Sequence, residues 1–119
     1  MYKLTILQAY NAMQFFLENY YTKTQSDDLG SLLSGMQLFS EGETLDPAMW
    51  GEWIRGLEPN KDITILDAFE AMRKFLEDYY SYIESDDIKI LLDLLRPSKE
   101  GSFDRIVWAQ WLNAIQQTL

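Results

Sequence analysis

The sequence predicts an all-α domain of about six helices, arranged as two tandem three-helix units at residues 4–58 and 62–118. The first observation behind this prediction is a duplication, because residues 4–21 and 63–80 are identical at 11 of 18 positions. Two copies of one segment at a fixed displacement indicate two copies of one structural unit. The second observation is that apolar residues recur every three or four positions, without the alternation that is typical of strands.

The first helix of each unit has a single apolar face. Apolar side chains follow i, i+3, i+4, i+7 spacing over residues 6–20 and again over residues 65–79. Thr5 and Thr64 are candidate N-caps, and Asp62 competes for this position in the second unit. This pattern predicts two long amphipathic helices, each with one face against the core.

The second helix of each unit is predicted to begin at a Ser-Asp-Asp segment, at residues 26–28 and 85–87. A serine hydroxyl can accept a hydrogen bond from a free backbone N–H, and carboxylates interact favourably with the positive end of a helix. Gly35 weakens the end of the first of these helices, whereas Pro97 stops the second.

The third helix of each unit is predicted to begin near Asp46 and near Asp104, after a polar connector that contains glycine. One residue is lost in the second connector, so counterparts differ by 59 positions before it and by 58 after it. The apolar positions that share one face are Trp50, Trp53, Ile54 and Leu57, and their counterparts Trp108, Trp111, Leu112 and Ile115. We expect both sets to face the core.

Three helices in about 58 residues cannot bury all their apolar faces alone. We therefore expect the two units to pack on each other as one domain, related by a pseudo-two-fold axis.

Composition excludes several kinds of function. The chain has no cysteine and no histidine, which removes disulfides, thiolate metal sites and the commonest general base. No glycine-rich phosphate loop, calcium loop or cofactor motif is present. We expect no enzyme and no cofactor, although a carboxylate-only hydrolase that uses Asp27 and Asp86 stays open as an alternative.

The charge of the chain narrows the choice of partner. A net charge of −9, from 19 acidic and 10 basic residues, argues against nucleic acid or anionic lipid and favours a basic partner. No apolar run approaches the roughly 18 residues that span a bilayer. Because the sequence shows no secretory leader and no cysteine, we expect a cytoplasmic protein.

Acidic residues at the predicted helix starts are candidate binding residues. In one interpretation they only cap helices, and in the other they also present negative charge to a basic partner; the two interpretations are compatible. These residues are Asp27, Asp28, Asp86 and Asp87.

Differences between the two copies supply further candidates. Phe15 lies on the face of the first helix that should be polar, and its counterpart is Lys74. Ile90 and Leu94 make the second short helix apolar on more than one face. Such apolar excess must be covered by the other unit or by a partner, and we favour the other unit.

Residues 9–21, 26–33 and 41–53 resemble a family of bacterial immunity proteins from contact-dependent growth inhibition systems. The motifs are A-(Y/F)-x-A-M-x-x-F-L-E-x-Y-Y, S-D-D-(L/I)-x-x-L-L and E-G-E-T-x-D-P-A-x-W-x-x-W. The second unit keeps the same elements but lacks the Asp-Pro-Ala start of the third motif. With Glu41 and Glu43 from that motif, the candidate toxin-binding residues become Phe15, Asp27, Asp28, Glu41, Glu43, Asp86 and Asp87.

The resemblance implies a cytoplasmic binding protein without catalysis, whose partner is the C-terminal domain of a cognate toxin. Many toxins of these systems are nucleases, whose active sites are basic because they hold phosphates. We expect a monomer that occludes the active site or substrate surface of the toxin in a one-to-one complex. The alternative is an acidic helical adaptor or a self-associating structural module.

Overall fold

Six helices and four very short strands make up residues 3–40 and 43–119, the part of the chain that the computed structural model describes. In chain order the elements are β1 (Lys3–Leu4), α1 (Ile6–Thr24), α2 (Asp27–Met36), β2 (Leu38–Ser40), β3 (Glu43–Thr44), α3 (Pro47–Ile54), β4 (Ile63–Thr64), α4 (Ile65–Ile83), α5 (Asp86–Leu95) and α6 (Arg105–Gln117). The helices pack into one globule with a Cα radius of gyration of 13.5 Å. The predicted all-α fold is confirmed.

Every helix begins after a residue whose side-chain oxygen accepts a hydrogen bond from a backbone N–H of the first turn. These N-caps are Thr5, Ser26, Asp46, Thr64, Ser85 and Asp104. In the second unit the cap of the long helix is therefore Thr64, and Asp62 is not used. Local capping chemistry fixes where each helix starts.

Each long helix ends in a residue with left-handed backbone geometry. Gln25 has φ 55° and Glu84 has φ 52°, and their backbone N–H groups donate to the carbonyls of Tyr21 and Tyr80, both at 2.7 Å. This conformation closes the helix and reverses the chain within two residues. The short helix that follows can then pack against the long one.

Trp53 joins the two units inside the core. Its indole Nε1 donates to the carbonyl of Ile6 at 3.3 Å, which lies in the first turn of α1. Its ring packs edge-on against Tyr10 of the same unit and against Phe75 of the other. Aromatic pairs in this geometry contribute about 0.5–1.5 kcal/mol each beyond area burial.

Trp111, the counterpart of Trp53, makes the corresponding contacts. Its Nε1 donates to the carbonyl of Ile65 at 3.2 Å. Its ring packs edge-on against Phe69 of its own unit and Phe16 of the other. The core therefore spans both units, as expected. The pseudo-two-fold axis itself stays a prediction.

Not all residues assigned to the core are buried. Trp53 and Trp111 are fully buried, but Ile54 and Leu112 are exposed, so their predicted inward orientation is wrong. Each follows its tryptophan by one position, which is a rotation of about 100° around the helix. The tryptophan side of α3 and α6 faces the core, and this rotation carries the next residue out of it.

Gly35 allows α2 and α3 to approach closely. A Cβ atom at this position would lie 3.3 Å from Cβ of Asp46, tighter than ordinary van der Waals contact. The Gly35 carbonyl accepts a hydrogen bond from the backbone N–H of Asp46 at 3.0 Å. The second unit has Leu94 at the corresponding position. The first unit is therefore more tightly closed between its second and third helices at this point.

The strands are too short to have produced a pattern of alternation in the sequence. β1 pairs antiparallel with β4, where Leu4 lies opposite Ile63, so the starts of the two units are tied together. β2 pairs antiparallel with β3 in the first connector, which was predicted only as a polar turn.

Candidate protein-binding surface

The N-termini of α2 and α5 meet through two reciprocal hydrogen bonds. The Ser26 hydroxyl donates to Oδ2 of Asp87 at 2.7 Å, and the Ser85 hydroxyl donates to Oδ2 of Asp28 at 2.6 Å. Each serine oxygen also accepts the backbone N–H of the third residue of its own helix. A hydroxyl can do both, since it has one donor and two lone pairs.

These bonds gather four of the predicted binding residues at one place. We call Asp27, Asp28, Asp86 and Asp87 the acidic end of the molecule. All four are exposed, and Asp28 and Asp87 are held in position by the serines of the opposite unit. Short, charge-assisted bonds of this kind restrict the side chains they join. The capping interpretation holds for this segment, and the carboxylates stay accessible beside it.

Two tyrosines near the acidic end have raised pKa values. Burial, and then the Asp87 carboxylate, raises the pKa of Tyr20 above its ordinary value. Burial again comes first for Tyr79, followed by the carboxylates of Asp28 and Asp46, and together they raise its pKa. A neighbouring negative charge disfavours the phenolate. Each tyrosine therefore lies close to an aspartate of the opposite unit.

The remaining predicted binding residues lie elsewhere. Phe15 is exposed on α1, and Glu43 is exposed at the start of β3. Among the described residues, no hydrogen bond or ion pair joins either of them to the acidic end. Glu41 lies outside the described residues.

A groove between α3 and α4 was not predicted as a site. We call it the α3–α4 groove, and its volume is about 390 Å³. Its apolar wall includes Met49, Tyr79, Tyr82 and Ile83, and Asp46 and Glu52 supply its acidic rim. It borders the acidic end, because Tyr79 lines it and lies near the Asp28 carboxylate. Sequence analysis could have found it from Tyr82 and Ile83, whose counterparts are the hydrophilic Lys23 and Thr24.

Ion pairs link α3 to α4 beside this groove. Arg55 Nη2 lies 3.4 Å from Glu52 Oε2 and 3.6 Å from Asp78 Oδ2, and Lys74 Nζ lies 3.5 Å from the same oxygen of Asp78. Their separations exceed ordinary hydrogen-bond lengths, and partly exposed pairs of this kind contribute little to stability. They do hold the Glu52 carboxylate in place at the edge of the groove.

The apolar excess of α5 is not covered by the other unit, contrary to expectation. Ile90 is 58% exposed, and Leu94 is also exposed. Only part of this surface borders another element, at a shallow cavity of about 160 Å³ that Ile90 shares with Tyr20 and Leu29. This face of α5 is therefore a second accessible apolar surface.

The part of the chain that the structure describes has neither a cluster of metal ligands nor a membrane-spanning helix. No group of three or more acidic side chains there is arranged to hold a metal ion. In residues 3–40 and 43–119, no helix combines the length and apolar character needed to cross a bilayer.

Comparison of this chain with protein families, with curated proteins and with solved structures gave no match.

Proposed function

We propose that this chain is an immunity protein that binds and neutralises the toxin domain of a contact-dependent growth inhibition system, without catalysis of its own. The observation that carries the proposal is the acidic end, where two Ser-Asp-Asp segments, 59 positions apart in sequence, form one exposed surface. The motifs of residues 9–21, 26–33 and 41–53, which resemble that family, support the same class.

The acidic end is suited to a basic partner because part of it is already ordered. Asp28 and Asp87 are held by serine hydroxyls, so little side-chain freedom remains to be lost on binding. Asp27 and Asp86 are exposed beside them. A nuclease holds phosphates with lysine and arginine, and exposed carboxylates would pair with these groups in place of the substrate. The net charge of −9 also accelerates association with a basic protein.

The proposal includes occlusion of the toxin in a one-to-one complex in the cytoplasm of the producing cell. The absence of histidine and cysteine from the sequence supports a role in binding, since the commonest catalytic side chains are missing.

The test begins with the neighbouring reading frame, which the proposal expects to encode a large exported protein, and uses the C-terminal domain of that protein. Its activity on RNA and DNA is measured alone and with increasing amounts of the protein. We expect activity to fall to zero at equimolar protein and to return when the protein is removed at high salt. A toxin domain that keeps full activity with excess protein would contradict the proposal.

Self-association is a second candidate function, favoured by the exposed apolar face of α5 at Ile90 and Leu94. An adaptor or structural module that pairs through this face would show a mass that rises with protein concentration in light scattering. A constant monomer mass favours the immunity protein.

A further inference from the structure

We infer that the α3–α4 groove is where the protein receives an apolar side chain of its partner together with an adjacent lysine or arginine. With the toxin domain as that partner, the inference rests on the proposed function and names the surface that would give it specificity.

Apolar side chains that line the α3–α4 groove are exposed to solvent. Tyr82 is 67% exposed and Ile83 is 50% exposed, although both adjoin the apolar Met49. Neighbouring exposed apolar side chains that border a concave surface are typical of interaction sites. The last turn of α4 lies beside the start of α3, at Asp46, Ala48 and Met49, and α3 packs less extensively on α4 than α6 does on α1.

The two copies of the repeat differ at positions that line the groove. The counterparts of Tyr82 and Ile83 are Lys23 and Thr24, and the counterpart of Glu52 is Gln110. The corresponding surface between α1 and α6 is therefore hydrophilic at the first two positions and uncharged at the third. The fold does not require apolar and acidic residues at these positions, since the surface between α1 and α6 lacks them.

The charged residues that line the groove are acidic. Asp46 and Glu52 line the groove, and among the described residues no basic side chain does. Asp28 and Asp46 lie close enough to Tyr79, which lines the groove, to raise its pKa after burial, so negative charge borders the groove on this side as well. Arg55 lies 3.4 Å from Glu52, and it lines the neighbouring cavity beside Lys74 and not this groove. A lysine or arginine beside an apolar side chain complements this arrangement.

A second copy of the chain is a poorer occupant. Each copy carries a net charge of −9, so two acidic rims would oppose each other. A basic partner has no such repulsion. It would bind the groove and the acidic end at once, because the two surfaces adjoin at Tyr79.

The first experiment measures binding of the toxin domain to variants of the groove. Tyr82→Ser with Ile83→Thr removes two of the apolar side chains of its wall, and Glu52→Gln introduces the residue that the second unit has at the corresponding position, Gln110. Ile106→Ala and Ile90→Ser are matched controls, since both residues are exposed outside the groove and each change introduces its counterpart. We expect the groove variants to bind about tenfold more weakly, with unchanged melting temperatures, and the controls to bind as the wild type does.

Equal binding by the groove variants and the wild type would overturn the inference and leave the proposed function standing. Loss of affinity in the Ile90→Ser control, with none in the groove variants, would place the site on α5 and also overturn it. Absence of binding by the wild type would instead overturn the proposed function and the toxin as occupant. A monomer–dimer equilibrium abolished by the groove variants would identify a second copy as occupant, against the inference.

The second experiment tests the chemistry of the groove without any toxin. Phenethylammonium combines an aromatic ring with a cation, and 3-phenylpropionate has a similar shape with an anion. We expect phenethylammonium to cause saturable NMR shifts of the Met49 and Ile83 methyl groups, reduced by Glu52→Gln, and phenylpropionate to cause much smaller ones. Equal shifts with both compounds, or shifts centred elsewhere, would overturn the inference.

Discussion

Ser85 donates a 2.6 Å hydrogen bond to Asp28 of the other unit while its oxygen accepts the backbone N–H of Ile88. One buried side chain, 7% exposed, therefore caps α5 and joins the two units. The arrangement is repeated by Ser26 and Asp87. Helix capping and association of the units depend on the same two serines.

Substitution Ser85→Ala is expected to lower the free energy of unfolding by about 2 kcal/mol. It removes a helix cap and the only described side-chain donor to Asp28 in residues 3–40 and 43–119. Urea denaturation followed by tryptophan fluorescence measures the change. Ser81→Ala, at an exposed position of α4, is the control and should alter stability by less than about 0.5 kcal/mol. Equal losses in the two variants would contradict the combined contribution of the cap and of the bond between the units.

Sequence analysis predicted the cap at Ser85 because capping depends only on the residues that follow. It did not predict the bond to Asp28, since that requires the relative placement of two units, which no local pattern contains. The exposure of Ile54 shows the same limit, because helical spacing indicates a face without fixing how far that face is covered.

The candidate site was predictable to a similar degree. The four aspartates were identified from helix-start chemistry, and the structure brings them together. The α3–α4 groove was missed because it depends on the relative placement of α3 of the first unit and α4 of the second. Its sequence signal was the difference between the two copies at Tyr82 and Ile83.

Substitution Glu84→Gly is expected to stabilise the protein by about 0.5–1 kcal/mol. Glu84 has φ 52°, a conformation that glycine adopts without the Cβ clash of other residues. Thermal unfolding measures the gain as a higher midpoint. Ser81→Gly, inside α4, is the matched control and should lower stability by about 0.5 kcal/mol. A loss of stability in Glu84→Gly would indicate that the side chain contributes more than the backbone conformation costs.

Stability is expected to fall above about pH 10 because of Tyr10. Its buried hydroxyl donates to the Met36 carbonyl at 2.9 Å, and burial raises its pKa well above the ordinary 10.0. Below pH 10 the tyrosine is neutral in both states, so its contribution is complete. At higher pH the Tyr10 hydroxyl ionises in the unfolded chain but keeps its proton in the folded protein. This difference favours unfolding by up to about 1.4 kcal/mol per pH unit.

The measurement is the free energy of unfolding at about pH 8 and about pH 11, for the wild type and Tyr10→Phe. The variant should be less stable by about 1 kcal/mol at the lower pH, because it lacks the hydrogen bond, and should show a smaller decline at the higher pH. Tyr82→Phe, at an exposed position, is the control for loss of a hydroxyl. An identical decline in Tyr10→Phe and the wild type would exclude Tyr10 as the source.

On the proposed function, reversing the charges of Asp27 and Asp86 at the acidic end is expected to slow toxin binding while the protein stays folded. Asp27→Lys with Asp86→Lys leaves the serine-bound Asp28 and Asp87 intact, but it places two cations in the first turns of α2 and α5, so the free energy of unfolding should fall by about 1–2 kcal/mol. Loss of electrostatic steering should reduce the association rate constant by about tenfold at low salt, and the difference should shrink as salt is added. Surface plasmon resonance against the neighbouring toxin domain measures both rate constants. Glu18→Lys with Glu100→Lys makes the same change in net charge at other exposed positions. Equal slowing by the two double variants would mean that overall charge, and not the acidic end, steers the encounter.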